Sequence, residues 1–199
     1  MEQLTLLEEL HELGARKSAR RAQRGRAPRD VGRTDPGQEA FDFEPARGPL
    51  ARVVELPIRG ARAREAEDWY RVGCELEGSD PEQARAAYQR ALALAPAHAD
   101  AHLNLGCLDH EGGRLASAES HYRAALAARP GDLTARFDLA VALEDQQRES
   151  EAREAYLACI DGDAACAEAH YNLARLAERA GDRPTALRHL LAYRRLSAG

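Results

Sequence analysis

Residues 101–130 read AHLNLGCLDHEGGRLASAESHYRAALAARP. Leu105-Gly106, Ala118, Tyr122, Ala125 and Pro130 are the fixed points of this stretch, and the pattern recurs when it is moved along the chain. Ala84, Ala118, Ala152 and Ala186 stand at a constant spacing of 34 residues. Tyr88, Tyr122 and Tyr156 follow the first three by four residues, and Leu190 follows the last. A fixed period of roughly 20 to 50 residues marks an array in which each unit buries its apolar face on the next. Gly112-Gly113 breaks the stretch in two, and the apolar residues on either side recur at helical spacing. Each unit is therefore a helix, a turn and a second helix. The expectation is an all-α, right-handed α-solenoid of four helix–turn–helix repeats, at residues 66–98, 99–132, 133–166 and 167–199.

The other three units carry the same signposts. The first runs through Trp69, Val72-Gly73 and Leu76. Ser79-Asp80-Pro81 then starts a second helix, a capping acid followed by proline at the first helical position. Ala84, Tyr88 and Ala91 line that helix, which ends before Pro96. The third unit runs Phe137, Leu139-Ala140, Leu143, Ala152, Tyr156 and Cys159; the fourth runs Tyr171, Leu173-Ala174, Ala186, Leu190 and Tyr193. These residues resemble the tetratricopeptide repeat (TPR) family: a large apolar residue, Leu-Gly, a mid-repeat Ala, an aromatic, a second Ala and a closing Pro. The resemblance implies that the small residue at Gly73, Gly106, Ala140 and Ala174 in helix A faces the small Ala of helix B. Two departures are visible. Gly73 to Gly106 is 33 residues, so the first repeat is expected to be one residue short at its inter-helix turn, and Ala164 replaces the closing Pro of the third. Residues 39–199 also resemble, more weakly, the TPR half of bacterial MerR–TPR fusion proteins. Residues 1–38 are too short and too rich in Pro and Gly for the DNA-reading domain of those fusions, so DNA binding does not carry over.

Ahead of the repeats the pattern changes. Residues 1–14 read as a short amphipathic helix, with Thr5 and Glu8 as a capping box, Leu6, Leu10 and Leu13 on one face and Gly14 as a stop. Residues 15–62 hold many prolines and glycines without sustained periodicity and are expected to be a disordered, basic linker. Phe41-Asp42-Phe43 and Val53-Val54-Glu55-Leu56 are its two apolar patches. Net charge is -5, from 28 cations and 33 acids. The sign is uneven: Arg16 to Arg33 holds eight cations and one acid, while residues 61–199 carry 17 cations against 23 acids. No run of about 18 uncharged apolar residues is present to span a membrane. The acids of the first twelve residues argue against a secretory or transit signal. The expected location is cytoplasmic, with the four cysteines as reduced thiols.

A solenoid offers a long inner surface, so the expected function is a protein- or peptide-binding scaffold or adaptor, not an enzyme. The resemblance implies that helix A lines the groove. Tyr70, Leu103, Phe137 and Tyr171 are then expected as an apolar ladder, beside Arg71, Asn104, Asp138 and Asn172. An amide can pair with a peptide backbone through both donor and acceptor. Glu111, Glu144 and Asp145 rim the groove against Arg175 and Arg179, which favours a basic or neutral ligand. The clamp by which some TPR cochaperones hold an acidic tail is not expected, because its places hold Tyr70, Cys74, Thr134 and Asp138. The Arg16–Arg33 block is a candidate ligand for the groove. It also gives the alternative function, non-specific contact with nucleic acid phosphates. Either the leucine face of residues 4–13 or a second copy is a candidate cover for the uncapped last repeat. No catalytic group, metal site or cofactor is expected: Cys107 and His110 with His102 have ligand types at helical spacing, but small residues are routine at that repeat position. Cys159 and Cys166 read as structural thiols. His98, His121, His170 and His189 look scattered over different repeat positions.

Overall fold

The computed structural model describes residues 59–198. Among them are eight helices and no strand: α1 Arg59–Leu76, α2 Pro81–Leu94, α3 Ala99–Glu111, α4 Leu115–Ala128, α5 Leu133–Asp145, α6 Glu149–Gly162, α7 Ala167–Arg179 and α8 Arg183–Ser197. The odd-numbered helices are helix A of each repeat and the even-numbered ones helix B. Helices α3, α5 and α7 start 34 residues apart, and so do α2, α4, α6 and α8. The expected solenoid of four helix–turn–helix repeats is what the structure shows. The expected helix at residues 1–14 and the linker up to residue 58 lie outside the described residues. Residues 59–62, expected as linker, are already helical. Ala61, Arg62, Ala63 and Arg64 are strong helix formers, and Arg64 Nε donates to the Gly60 carbonyl at 3.2 Å.

Capping follows the sequence. Asp80, Asp132 and Asp182 each accept a hydrogen bond from the backbone N–H three residues on, at 3.0, 3.0 and 3.1 Å. His98 does the same for α3 through Nδ1, at 3.2 Å, and its Nε2 lies 3.3 Å from Glu67 Oε2. The turns of repeats two to four are alike. Gly113, Gln147 and Gly181 sit at φ of 72°, 62° and 75°, and the next residue donates its N–H five residues back, from Arg114 to Asp109, Arg148 to Leu143 and Asp182 to Ala177. This is the Schellman closure, which needs a left-handed residue and normally takes glycine. The first turn differs. Helix α1 ends three residues after Gly73, whereas α3 ends five after Gly106; the turn is four residues (77–80) instead of three (112–114). The missing residue is thus a two-residue loss from the helix end with one residue added to the turn, not a shortened turn.

The core lies between the helices of each repeat and between neighbouring repeats. Ala84, Ala118, Ala152 and Ala186 are fully buried, as are Tyr88, Tyr156 and Leu190. The nearest side chain over the signature glycine is the helix B tyrosine, four residues after the expected alanine. A Cβ on Gly106 would lie 2.7 Å from the Tyr122 ring, and one on Gly73 would meet the Tyr88 ring. The close approach is of a tyrosine ring to a bare backbone. Each repeat also packs on the next, and the two central helices A, α3 and α5, touch directly.

Candidate recognition groove

Four helices A supply the inner face, and the register of each side chain decides whether it reaches that face. Leu103 is three residues before Gly106. In a helix that spacing puts both on one face, and Gly106 faces Tyr122. Leu103 is accordingly 3% exposed, packed with Ala118, Tyr122, Ala125 and Ala135. Tyr171 is 2% exposed, its ring 5.3 Å from Tyr193. Tyr70 and Phe137 are half-buried against Tyr88 and Tyr156. The expected apolar ladder is therefore part of the core between helices A and B. Only Tyr70 and Phe137 retain partial exposure.

The neighbouring register is mixed. Asn104 is buried and donates to Tyr88 Oη at 3.1 Å, tying repeat two to repeat one. Asn172 repeats the arrangement 68 residues on, hydrogen bonded to Tyr156, and accepts from Arg175 Nη1 at 3.4 Å. Both amides are inter-repeat ties, which a peptide-gripping role alone does not describe. Arg71 is exposed and paired with Asp68. Asp138 is half-buried, 3.7 Å from the Cys107 thiol.

The acids are arranged more tightly than composition shows. Glu144 takes Arg175 at 3.2 Å, Arg179 at 3.0 Å and the Tyr156 hydroxyl at 3.0 Å, its side chain 8% exposed. Tyr156 is pushed well above the usual phenol range, first by burial and then by the Glu144 charge. Asp145 meets His110 Nε2 at 2.7 Å. Glu111 is exposed. Among the helix A residues of the two central repeats, Asp100, Asp109, Glu111, Asp138, Glu144 and Asp145 stand against one arginine, Arg136. That arginine donates to the Ala158 and Pro130 carbonyls at 3.2 and 2.7 Å. Of the six acids, Asp100, Asp109 and Glu144 are paired with arginines of other segments.

Two groups escaped the reading of the sequence. Asp109 is fully buried and receives Arg85 from repeat one, Arg114 Nε at 3.1 Å and Ser117. Its register holds Leu76, Leu143 and Ala177 in the other repeats, so a break in the period was the available signal. The histidines are not scattered. His102 and His121 bring their Nδ1 atoms to 3.1 Å, and His170 and His189, each 68 residues further on, to 3.0 Å. Two pairs thus occupy one register in repeats two and four. His98 is separate, at the α3 cap.

The structure does not assemble the metal-ligand types noted along α3. Cys107 turns to Asp138, His110 to Asp145 and His102 to His121. No group of three or more potential ligands occurs among the described residues. Burial pushes the Cys159 thiol up to about 12, with Cys166 adding to the shift, so it is a poor nucleophile. No helix among the described residues is long and apolar enough to cross a membrane.

Comparison with known proteins agrees with this architecture. A family model described as "Tetratricopeptide repeat" matches residues 75–132 and 107–165. No curated protein matches the chain. Among solved structures, one described as "Crystal structure of MamA" is 18% identical with a TM-score of 0.65, covering 71% of this chain and 83% of that one. "MamA 41-end from Desulfovibrio magneticus RS-1" is 25% identical with a TM-score of 0.63, over 67% of this chain and 76% of that one.

Proposed function

We propose, from the premise that this chain is built of tetratricopeptide repeats, that it is a protein-interaction scaffold whose inner face holds a basic or neutral peptide segment. One observation supports the charge preference: arginines of other segments take up Asp100, Asp109 and Glu144, but Glu111, Asp138 and Asp145 of the central helices α3 and α5 keep partial or full exposure, and the one arginine of these helices, Arg136, is spent on backbone carbonyls. A cationic ligand gains from that field, and an acidic one is repelled by it. The chain's own Arg16–Arg33 block has the right charge to compete for the same surface. The four cysteines are free thiols, and the reading takes a reducing, cytosolic setting.

Calorimetric titration of an arginine-rich peptide into the full chain, and into the Glu111→Lys plus Asp145→Lys variant, tests the reading. Both residues are exposed, so the variant is expected to keep its fold. The expected result is affinity lowered by about tenfold or more, the scale of one to two charge contacts. Equal affinity in the two proteins would remove the acidic face from the account.

A further inference from the structure

Helix α8 is the last helix among the described residues, and the positions that reach the following repeat in the other helices B meet no further repeat among them. Three registers show this. Residue 85 contacts Asp109 of the next repeat, and its counterpart Glu119 takes Gln146 and Arg148 of the next; in α8 this place is Leu187. Residue 123 reaches Glu151 of the next helix B; in α8 this place is Leu191, which is 47% exposed. Leu92, Leu126 and Ile160 pack into the core shared with the next repeat; in α8 this place is Arg194. Leu196 is 37% exposed nearby. The terminal face is therefore leucine with arginine. Helix α8 holds Arg183, Arg188, Arg194 and Arg195 and no acid, and none of the four makes an ion pair with another described residue.

The sequence holds the complement. Residues 1–14, MEQLTLLEELHELG, carry Glu2, Glu8, Glu9 and Glu12 and no Lys or Arg. Leu6, Leu10 and Leu13 recur at helical spacing, and at about 100° per residue Glu2 and Glu9 fall beside that stripe. We infer that residues 1–14 dock on the terminal face of α8, placing leucine on Leu187, Leu191 and Leu196 and glutamate on Arg188, Arg194 and Arg195. Docked there, they cover the exposed leucines as a capping segment does. Reach is sufficient. By number, 44 residues separate 14 from 59, and a flexible chain of that length would span about 35 Å. From repeat one to repeat four is three steps of about 10 Å each. Such a tether gives an effective concentration near the millimolar range, so the chain's own segment outcompetes that of a second copy at working concentrations.

Hydrogen exchange on the full chain tests this. The Leu6→Asp plus Leu10→Asp variant leaves all eight helices intact in sequence. Amides of α8 are expected to exchange at least about tenfold faster in it than in the parent chain, while those of α3 to α6 stay unchanged. Unchanged α8 exchange would overturn the docking. A charge swap adds an independent check. Glu9→Arg should speed α8 exchange, and adding Arg194→Glu should restore it; failure to restore counts against the pairing. Light scattering decides the occupant. A monomer with a protected α8 supports the chain's own segment, and a dimer that dissociates in the Leu6→Asp plus Leu10→Asp variant overturns it in favour of a second copy. Peptide affinity of the inner face is expected to be the same in all these variants, which separates this proposal from the groove.

Discussion

The histidine pairs are the residue-scale feature with the sharpest consequence. Within each pair the rings share one hydrogen bond between Nδ1 atoms, an arrangement that requires at least one neutral ring. His121 is held below the ordinary imidazole range by burial first and His102 next, with Arg85 adding and Asp109 opposing. His189 is lowered by burial, His170 and Arg188, and His170 by burial and Arg195. A lowered folded pKa means that the folded chain binds fewer protons than the unfolded chain between the two values. Stability from these groups is therefore complete above the unfolded value of about 6.5 and is lost as pH falls toward the folded values. The melting temperature is expected to drop by a few degrees from pH 7.5 to 5. The drop should shrink in the His121→Gln plus His189→Gln variant, measured by thermal circular dichroism. An equal drop in both proteins would assign the acid sensitivity elsewhere. The 68-residue recurrence of these histidines was in the sequence all along, but it shows only when two repeats, not one, are taken as the unit.

At the scale of helices, Asp109 ties α3 to both neighbouring helices B, through Arg85 on α2 and through Arg114 and Ser117 at the start of α4. Removing one partner of a buried ion pair leaves the other charge uncompensated. Asp109→Ala is therefore expected to destabilise the fold by about 3 kcal/mol in urea unfolding. Adding Arg85→Met to Asp109→Leu should recover most of that loss, because Leu76 and Leu143 already fill this register elsewhere. No recovery would mean that the network contributes more than charge balance. Helix positions, caps and the three like turns were legible because they depend on local rules: Asp80 and Pro81 start α2, and Gly113 and Gly181 close turns. Gln147 takes the same left-handed backbone without being glycine, which composition cannot show. The ladder of Tyr70, Leu103, Phe137 and Tyr171 was misplaced for a related reason. A period identifies which residues are equivalent, and not whether the shared face points to a ligand or to helix B.

At the scale of the whole molecule, stability is a sum of repeats and the interfaces between them. The tyrosine-on-glycine contacts join the two helices within a repeat, and the amides Asn104 and Asn172 help build the interfaces between repeats; the proposed function assigns recognition to the acids of the central repeats. Net charge alone could not single them out, because much of the acid is consumed internally: Glu144 by Arg175 and Arg179, Asp100 by Arg129, and Glu119 by Arg123 and Arg148. Where a cationic peptide settles is the central question. Chemical-shift mapping of the full chain with an arginine-rich peptide answers it most directly. The account predicts perturbations concentrated on α3 and α5 around Glu111, Asp138 and Asp145, fading as salt is raised. Perturbations confined to the helices B, or a response only to an acidic peptide, would contradict it.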